Sequence, residues 1–132
     1  MKLSPLLAAS VIALGGFAAS NASALDCQNA RTQADMNACS AHALELQTQI
    51  INANYNAYRA RLSPVQKEAF KQVQLAWIKY KDTSCTYEAS GVASGSVYPM
   101  ILSQCLAEKT RVRNLEIVAL MHCREGDLSC PN

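Results

Sequence analysis

Between positions 32 and 62 apolar side chains return every three or four residues: Met36, Cys39, Ala43, Leu46, Ile50, Ala53 and Ala57. That period is the signature of an amphipathic helix. A second, offset set of Leu44, Ile51, Tyr55, Tyr58 and Leu62 widens the apolar arc, so the helix should be covered on more than one side. Its start is marked by Thr32-Gln33-Ala34-Asp35, in which the threonine hydroxyl can take a first-turn amide while the aspartate reaches back. Ser63-Pro64-Val65-Gln66 then closes one helix and opens the next, because proline lacks only an amide that the first helical position leaves unpaired. In helix two Val65, Ala69, Val73, Ala76 and Tyr80 form a stripe, with Phe70 and Trp77 beside it. Residues 89–99 are mostly small or flexible and carry no helical period. A third helix begins near Pro99, with Ile101, Cys105, Val112, Leu115 and Ala119 as its inner face, supported by Leu102 and Val118. The pattern predicts an all-α fold, a small antiparallel bundle of three main helices.

The first 24 residues follow a different rule. Lys2 precedes an apolar run over residues 6–16 and the small-residue triplet Ala22-Ser23-Ala24, the layout of a secretory signal peptide cleaved before Leu25. That run is too short for a membrane anchor, and no later segment reaches the roughly 20 apolar residues a span requires. The expected organisation is therefore a signal peptide at 1–24 and a single helical domain at 25–132, located in the periplasm or secreted and not embedded in a membrane. Lys2 is the only charged residue of the first 24, so the remainder carries 11 Lys and Arg against 10 Asp and Glu, a formal charge of +1. Nucleic-acid binding would want a far more basic chain.

All six cysteines, Cys27, Cys39, Cys85, Cys105, Cys123 and Cys130, fall after the signal peptide. An even number in a small exported chain points to three disulfides that brace the bundle, with fifteen pairings open on paper. Cys85 near the end of helix two and Cys105 early in helix three are brought together by an antiparallel turn. A bridge there would fasten the feet of the Gly- and Ser-rich connection. Pairing of Cys27 with Cys39, and of Cys123 with Cys130 around the turn residues Gly126 and Asp127, is the local default for the others. No Cys-x2-Cys or His-x3-His spacing suggests zinc, and no cofactor or metal is expected.

The stretches "DCQNARTQADMNACSAHAL" (26–44), "INANY" (51–55), "QLAWIKYKDTSC" (74–85) and "GSVYPMILSQCLAEKTRVRNLE" (95–116) resemble the lysozyme-inhibitor LprI N-terminal-like family of small exported bacterial proteins. The most specific elements are the cysteines around 27–39, Trp77-x2-Tyr80-x4-Cys85 and Cys105-x4-Thr110-x2-Arg113. The resemblance implies a helical, disulfide-braced envelope protein, and for one branch of the family the inhibition of lysozyme. A muramidase cleft holds an acidic catalytic pair, which neutral hydroxyl and backbone donors can meet without bringing a charge to desolvate.

The best binding candidate is the fastened connection itself. Ser90, Ser94 and Ser96 supply hydroxyls, Gly91 and Gly95 permit close backbone approach, and Val92, Val97 and Tyr98 supply apolar anchors. A second candidate is the basic patch Lys109, Arg111 and Arg113. Trp77, Tyr80 and Phe70 are read as core first and as a glycan groove second. Catalysis finds little support: His42 and His122 lack a free thiolate to activate, and Asp35, Glu45, Glu68, Glu88, Glu108 and Glu116 are dispersed with no pair singled out. The expected function is a periplasmic or secreted protein-binding module of the bacterial envelope, with inhibition of a lysozyme by filling its cleft as the candidate action, and not an enzyme. An adaptor of the periplasm with no inhibitory activity and a small peptidoglycan-acting hydrolase are the alternatives. A protein is the expected partner, with a lysozyme or other muramidase as candidate and peptidoglycan as a further one; the oligomeric state is left open.

Overall fold

A computed structural model describes residues 25–124 and 126–131. The expected signal peptide at 1–24 lies outside the described residues. Three long helices make up the domain: α1 (Gln33–Ala60), α2 (Pro64–Glu88) and α3 (Tyr98–Met121), with one short 3-10 turn at Ser90–Val92 between the last two. Both sequence-marked starts are built by reciprocal caps. Thr32 Oγ1 accepts from the Asp35 amide at 3.1 Å while the Thr32 amide donates back to the Asp35 carboxylate. Ser63 and Gln66 repeat the arrangement at the head of α2, where Pro64 takes the first position. Each satisfies two amides that a helix start leaves orphaned.

The run is up, down, up. Asn37 meets Ser96, Asn54 meets Asn114 and Arg61 meets Met121, so positions rise together and α1 and α3 lie parallel. The pairs Gln74 with Arg113 and Glu88 with Lys109 run in opposite senses, so α2 is antiparallel to α3. Consecutive helices are thus antiparallel, and the most extensive packing joins the first to the third.

That α1–α3 seam has a sequence rule of its own. On α1 the positions withdrawn from solvent include 37, 40, 44, 47, 51, 54 and 58; on α3 they include 100, 103, 107, 110, 114, 117 and 121. Both sets alternate steps of three and four, the spacing of a coiled-coil seam. Several of these residues are small or polar. Ser40 and Thr110 are buried yet donate to carbonyls of their own helices, Met36 O at 2.9 Å and Leu106 O at 2.7 Å, so neither leaves an unmet hydroxyl. Small side chains let two helices approach closely. Near the α1–α2 hairpin the seam opens onto the main apolar cluster of Ile51, Tyr58, Phe70 and Ile117. There Phe70 stacks on Tyr55 at 5.1 Å and meets Tyr58 edge-on at 4.9 Å, two arrangements that aromatic quadrupoles favour.

The three helices form where the periodicity places them, but several of the expected faces differ. In α1 the offset set carries the core through Ile51 and Tyr58, whereas Leu46 and Ile50 of the first stripe are exposed. In α2 the stripe from Val65 to Tyr80 faces outward, with Val65 81 % exposed, while Phe70 turns in. In α3 Val112 and Leu115 are exposed, and Ile117, Thr110 and Arg113 take the interior. The reason is the seam: once α3 lies against the small and polar flank of α1, the only apolar sets that reach the centre are those adjoining that flank.

The six cysteines pair as Cys27–Cys39, Cys85–Cys105 and Cys123–Cys130. The first two fasten the end of the bundle that carries the α2–α3 connection, and the third closes the tail. Among the described residues no helix is long and apolar enough to cross a membrane.

Ile117→Ala and Leu115→Ala separate the observed face of α3 from the expected one. Ile117, fully buried, should cost about 2–4 kcal/mol on truncation. Leu115, 54 % exposed, should cost under about 1 kcal/mol. Urea unfolding followed by circular dichroism reads both, and equal losses would contradict the packing described.

Candidate functional site

Nine residues, 89–97, connect α2 to α3, and they are wound rather than slack. Successive backbone bonds run from the Val92 amide to Ala89 O, from Ala93 to Ser90 O, from Gly95 to Val92 O and from Tyr98 to Gly95 O. Gly95 allows this winding, since a Cβ there would meet Val92 O at 3.3 Å; Gly91 faces open space. The outward residues are Ser90, Gly91, Ala93, Ser94, Gly95 and Ser96, while Val92, Val97 and Tyr98 are half-buried and form the underside. The segment thus shows hydroxyls, bare backbone and the Ala93 methyl to solvent and sits on its larger apolar members.

Three fastenings hold it. The Cys85–Cys105 bridge joins its two feet, with Cys85 fully buried. Asn37 Nδ2 donates to Ser96 O at 3.0 Å and ties the far side to α1. Lys109 Nζ lies 3.0 Å from the Glu88 carboxylate, where Ser84 Oγ also donates at 2.9 Å. The Lys109 contact, followed by the Ser84 hydroxyl, draws the Glu88 carboxyl below its ordinary range, and Glu88 in turn raises Lys109 above its own. Asn37 and the Glu88–Lys109 pair carried no sequence signal, because their partners lie 59 and about 20 positions away and no local spacing encodes them.

The three basic candidates do not form one surface. Lys109 serves the loop foot. Arg111 makes a two-point contact with Glu108, through Nε at 2.8 Å and Nη2 at 2.7 Å. Arg113 is buried, bonded to Gln74 at 3.2 Å and Glu116 at 2.6 Å. The aromatic trio divides as well: Phe70 belongs to the core and Trp77 packs against it while bordering a groove between α2 and α3, whereas Tyr80, 59 % exposed, lines that groove only.

Several other titratable groups make contacts within their own helices. Asp35 caps α1, Glu68 accepts from Gln72 and faces Lys71, and His42 lies 3.8 Å from Glu45 one turn on. Hydrogen bonds from Thr32, Gln72, Lys109 and Arg111 lead in drawing the carboxyls of Asp35, Glu68, Glu88 and Glu108 below their ordinary values. A general acid needs the opposite shift. Among the described residues no group of three or more His, Cys, Asp and Glu is disposed to hold a metal ion.

Among known proteins, the family model described as "Lysozyme inhibitor LprI" matches residues 25–117, which take in α1, α2, the connection and most of α3. A protein of Rhizobium meliloti (strain 1021), itself described as uncharacterized, is 33 % identical over a 114-residue alignment covering 76 % of this chain and 82 % of that protein. No solved structure gives a significant match.

Two outcomes follow for the loop. Replacing Cys85 and Cys105 together by serine should lower stability by about 3 kcal/mol in denaturant titration, the loop-closure value for a bridge spanning 20 residues. The Glu88–Lys109 contact should be lost on acidification through the lowered Glu88 value and on alkalinisation through the raised Lys109 value. Amide chemical shifts at the loop foot should therefore stay flat between about pH 5 and pH 10 and move outside that window; a drift centred near neutrality would contradict the pairing.

Proposed function

We propose, given that the chain belongs to the lysozyme inhibitor LprI family, that residues 90–98 are the surface with which it fills the cleft of a muramidase. Membership supports a lysozyme-inhibitor-like role in the periplasm or outside the cell, one that is not enzymatic. The finer statement, which surface acts and how, is supported chiefly by the fastening of the connection on both sides, by the Cys85–Cys105 bridge and by Asn37.

Fastening matters because ordering a free loop on binding costs roughly 0.5–1.5 kcal/mol for each immobilised side chain, and a loop already wound avoids most of that. The exposed Ser90, Ser94 and Ser96 suit an acidic cleft, since hydroxyls donate to carboxylates without bringing a charge that must shed its water. Occlusion needs only shape and donors, so the dispersed carboxylates of this chain have no chemical part in it.

A second reading, an adaptor that holds another envelope protein, draws support from the outward stripes of α1 and α2, where Leu46, Ile50, Val65 and Val73 stand exposed. Tyr55 and Tyr58 do not serve such a face, because both pack on Phe70.

Calorimetry of the oxidised 25–132 chain with animal-type and bacterial muramidases, with lysis followed in the same mixtures, tests the proposal. A version carrying a Gly-Ser segment of equal length at 90–97 should keep the helical spectrum and inhibit at least about tenfold more weakly. Undiminished inhibition would move the site off the loop, and absence of both binding and inhibition by the parent chain would favour the adaptor.

A further inference from the structure

α2 meets the rest of the bundle along one side. Phe70, Gln74, Trp77, Lys81 and Cys85 turn inward from it, buried or half-buried, and its packing on α3 is far less extensive than that of α1 on α3. Roughly a third of a turn round the helix, Val65, Ala69, Gln72, Val73, Ala76 and Tyr80 all stand exposed in one row. Val65 is 81 % exposed, Val73 52 % and Tyr80 59 %, the last with the Lys109 ammonium over its ring. A contiguous apolar row on the outside of a helix is a docking surface rather than a scatter of stray side chains.

The row reads the same from both ends. About the point between positions 72 and 73, Val65 is matched by Tyr80, Ala69 by Ala76 and Gln72 by Val73. A surface that meets a second copy of itself across a two-fold axis must be its own complement, residue i facing j and j facing i. Two α2 helices laid antiparallel about that point meet the condition. Val65 of each copy faces Tyr80 of the other at the two ends, and the Ala69–Ala76 contacts on either side of the axis let the backbones approach to about 8 Å. Gln72 falls beside Gln72 of the second copy, where two side-chain amides can pair.

The charges select the same arrangement. Glu68 and Lys79 project from one flank of the row, about three turns apart. Glu68 is 60 % exposed with Lys71 at 3.7 Å, and Lys79 makes no ion pair among the described residues. In the antiparallel pair Glu68 of each copy comes beside Lys79 of the other, so symmetry makes two cross-pairs of opposite sign. A parallel pair in register would keep those residues about three turns apart.

We propose that the outward row of α2 docks on the same row of a second copy, antiparallel and centred between residues 72 and 73. Because each α2 runs into its own connection, the dimer carries its two 90–98 loops at opposite ends, clear of the contact. Such a dimer is bivalent towards whatever the loops address, but the pairing itself does not rest on the loop assignment.

Sedimentation equilibrium of the oxidised 25–132 chain, from about 1 μM to about 1 mM, should follow a single monomer–dimer equilibrium. Glu68→Lys and Lys79→Glu should each weaken the dimer about tenfold, while the two reversals together rebuild opposite pairs and should return it to within about threefold of the parent. Ala76→Arg, which puts a long charged side chain where the helices come closest, should weaken it by more than about tenfold with the helical spectrum unchanged. The version with the Gly-Ser loop should dimerise as the parent does, which keeps failure of the loop assignment distinct from failure of this one. A chain that stays monomeric throughout the range would overturn the proposal and leave the row to another protein. A dimer indifferent to Ala76→Arg, or one that the combined reversals do not restore, would overturn it equally.

Discussion

A hydrogen bond of 2.8 Å between Asn54 and Asn114 sits in the seam where α1 and α3 run side by side. Polar partners inside a helix seam cost stability and fix register, because any slide along the axis would leave two amides without partners in a half-buried setting. The rest of the molecule is arranged around that register. It sets Ser96 within reach of Asn37 at one end and Met121 O within 3.1 Å of the Arg61 guanidinium at the other. It also places Ile117 against Ile51 and Tyr58, so the main apolar cluster forms near the hairpin end.

The two ends are consequently built differently. At the hairpin end stability comes from aromatic and aliphatic packing around Phe70. At the other, where few large side chains meet, the Cys27–Cys39 and Cys85–Cys105 bridges do the holding. A domain of this size buries a modest fraction of its surface, and covalent closure of an otherwise thinly packed end is a common remedy. The candidate inhibitory loop lies on that covalently braced end, where its rigidity does not depend on the core.

The α2–α3 flank joins the two halves. Thr110 and Arg113 enter the interior there while Lys109 and Val112 stay at the groove. A helix that gives small and polar residues to one neighbour has its larger residues left for another direction. For α2 and α3 part of that direction is solvent, which is how Tyr80 stands exposed and Trp77, packed on the core cluster, also borders an open groove.

Several features were legible in the chain alone. The three- and four-residue period, the two capping boxes and Pro64 determine where the helices lie, because they act through neighbouring residues and need no partner from elsewhere. The even set of cysteines with the apolar leader pointed to an oxidising compartment, and composition set off 89–99 as a break between helices, of which 89–97 form the connection while Tyr98 and Pro99 already open α3. Which face of each helix turns inward was not legible, since α1, α2 and α3 each carry more than one apolar stripe and periodicity alone weighs them equally. The choice came from Ser40, Thr110, Asn54 and Asn114, polar residues that look like surface and lie in the seam because each finds its partner there or within its own helix. The bracing of the loop by Asn37, the pairing of Glu88 with Lys109 and the burial of Arg113 likewise belong to the tertiary structure, because each depends on side chains remote in sequence. Local periodicity sets the elements; only their mutual packing assigns their faces, and with them the surfaces that remain for a ligand.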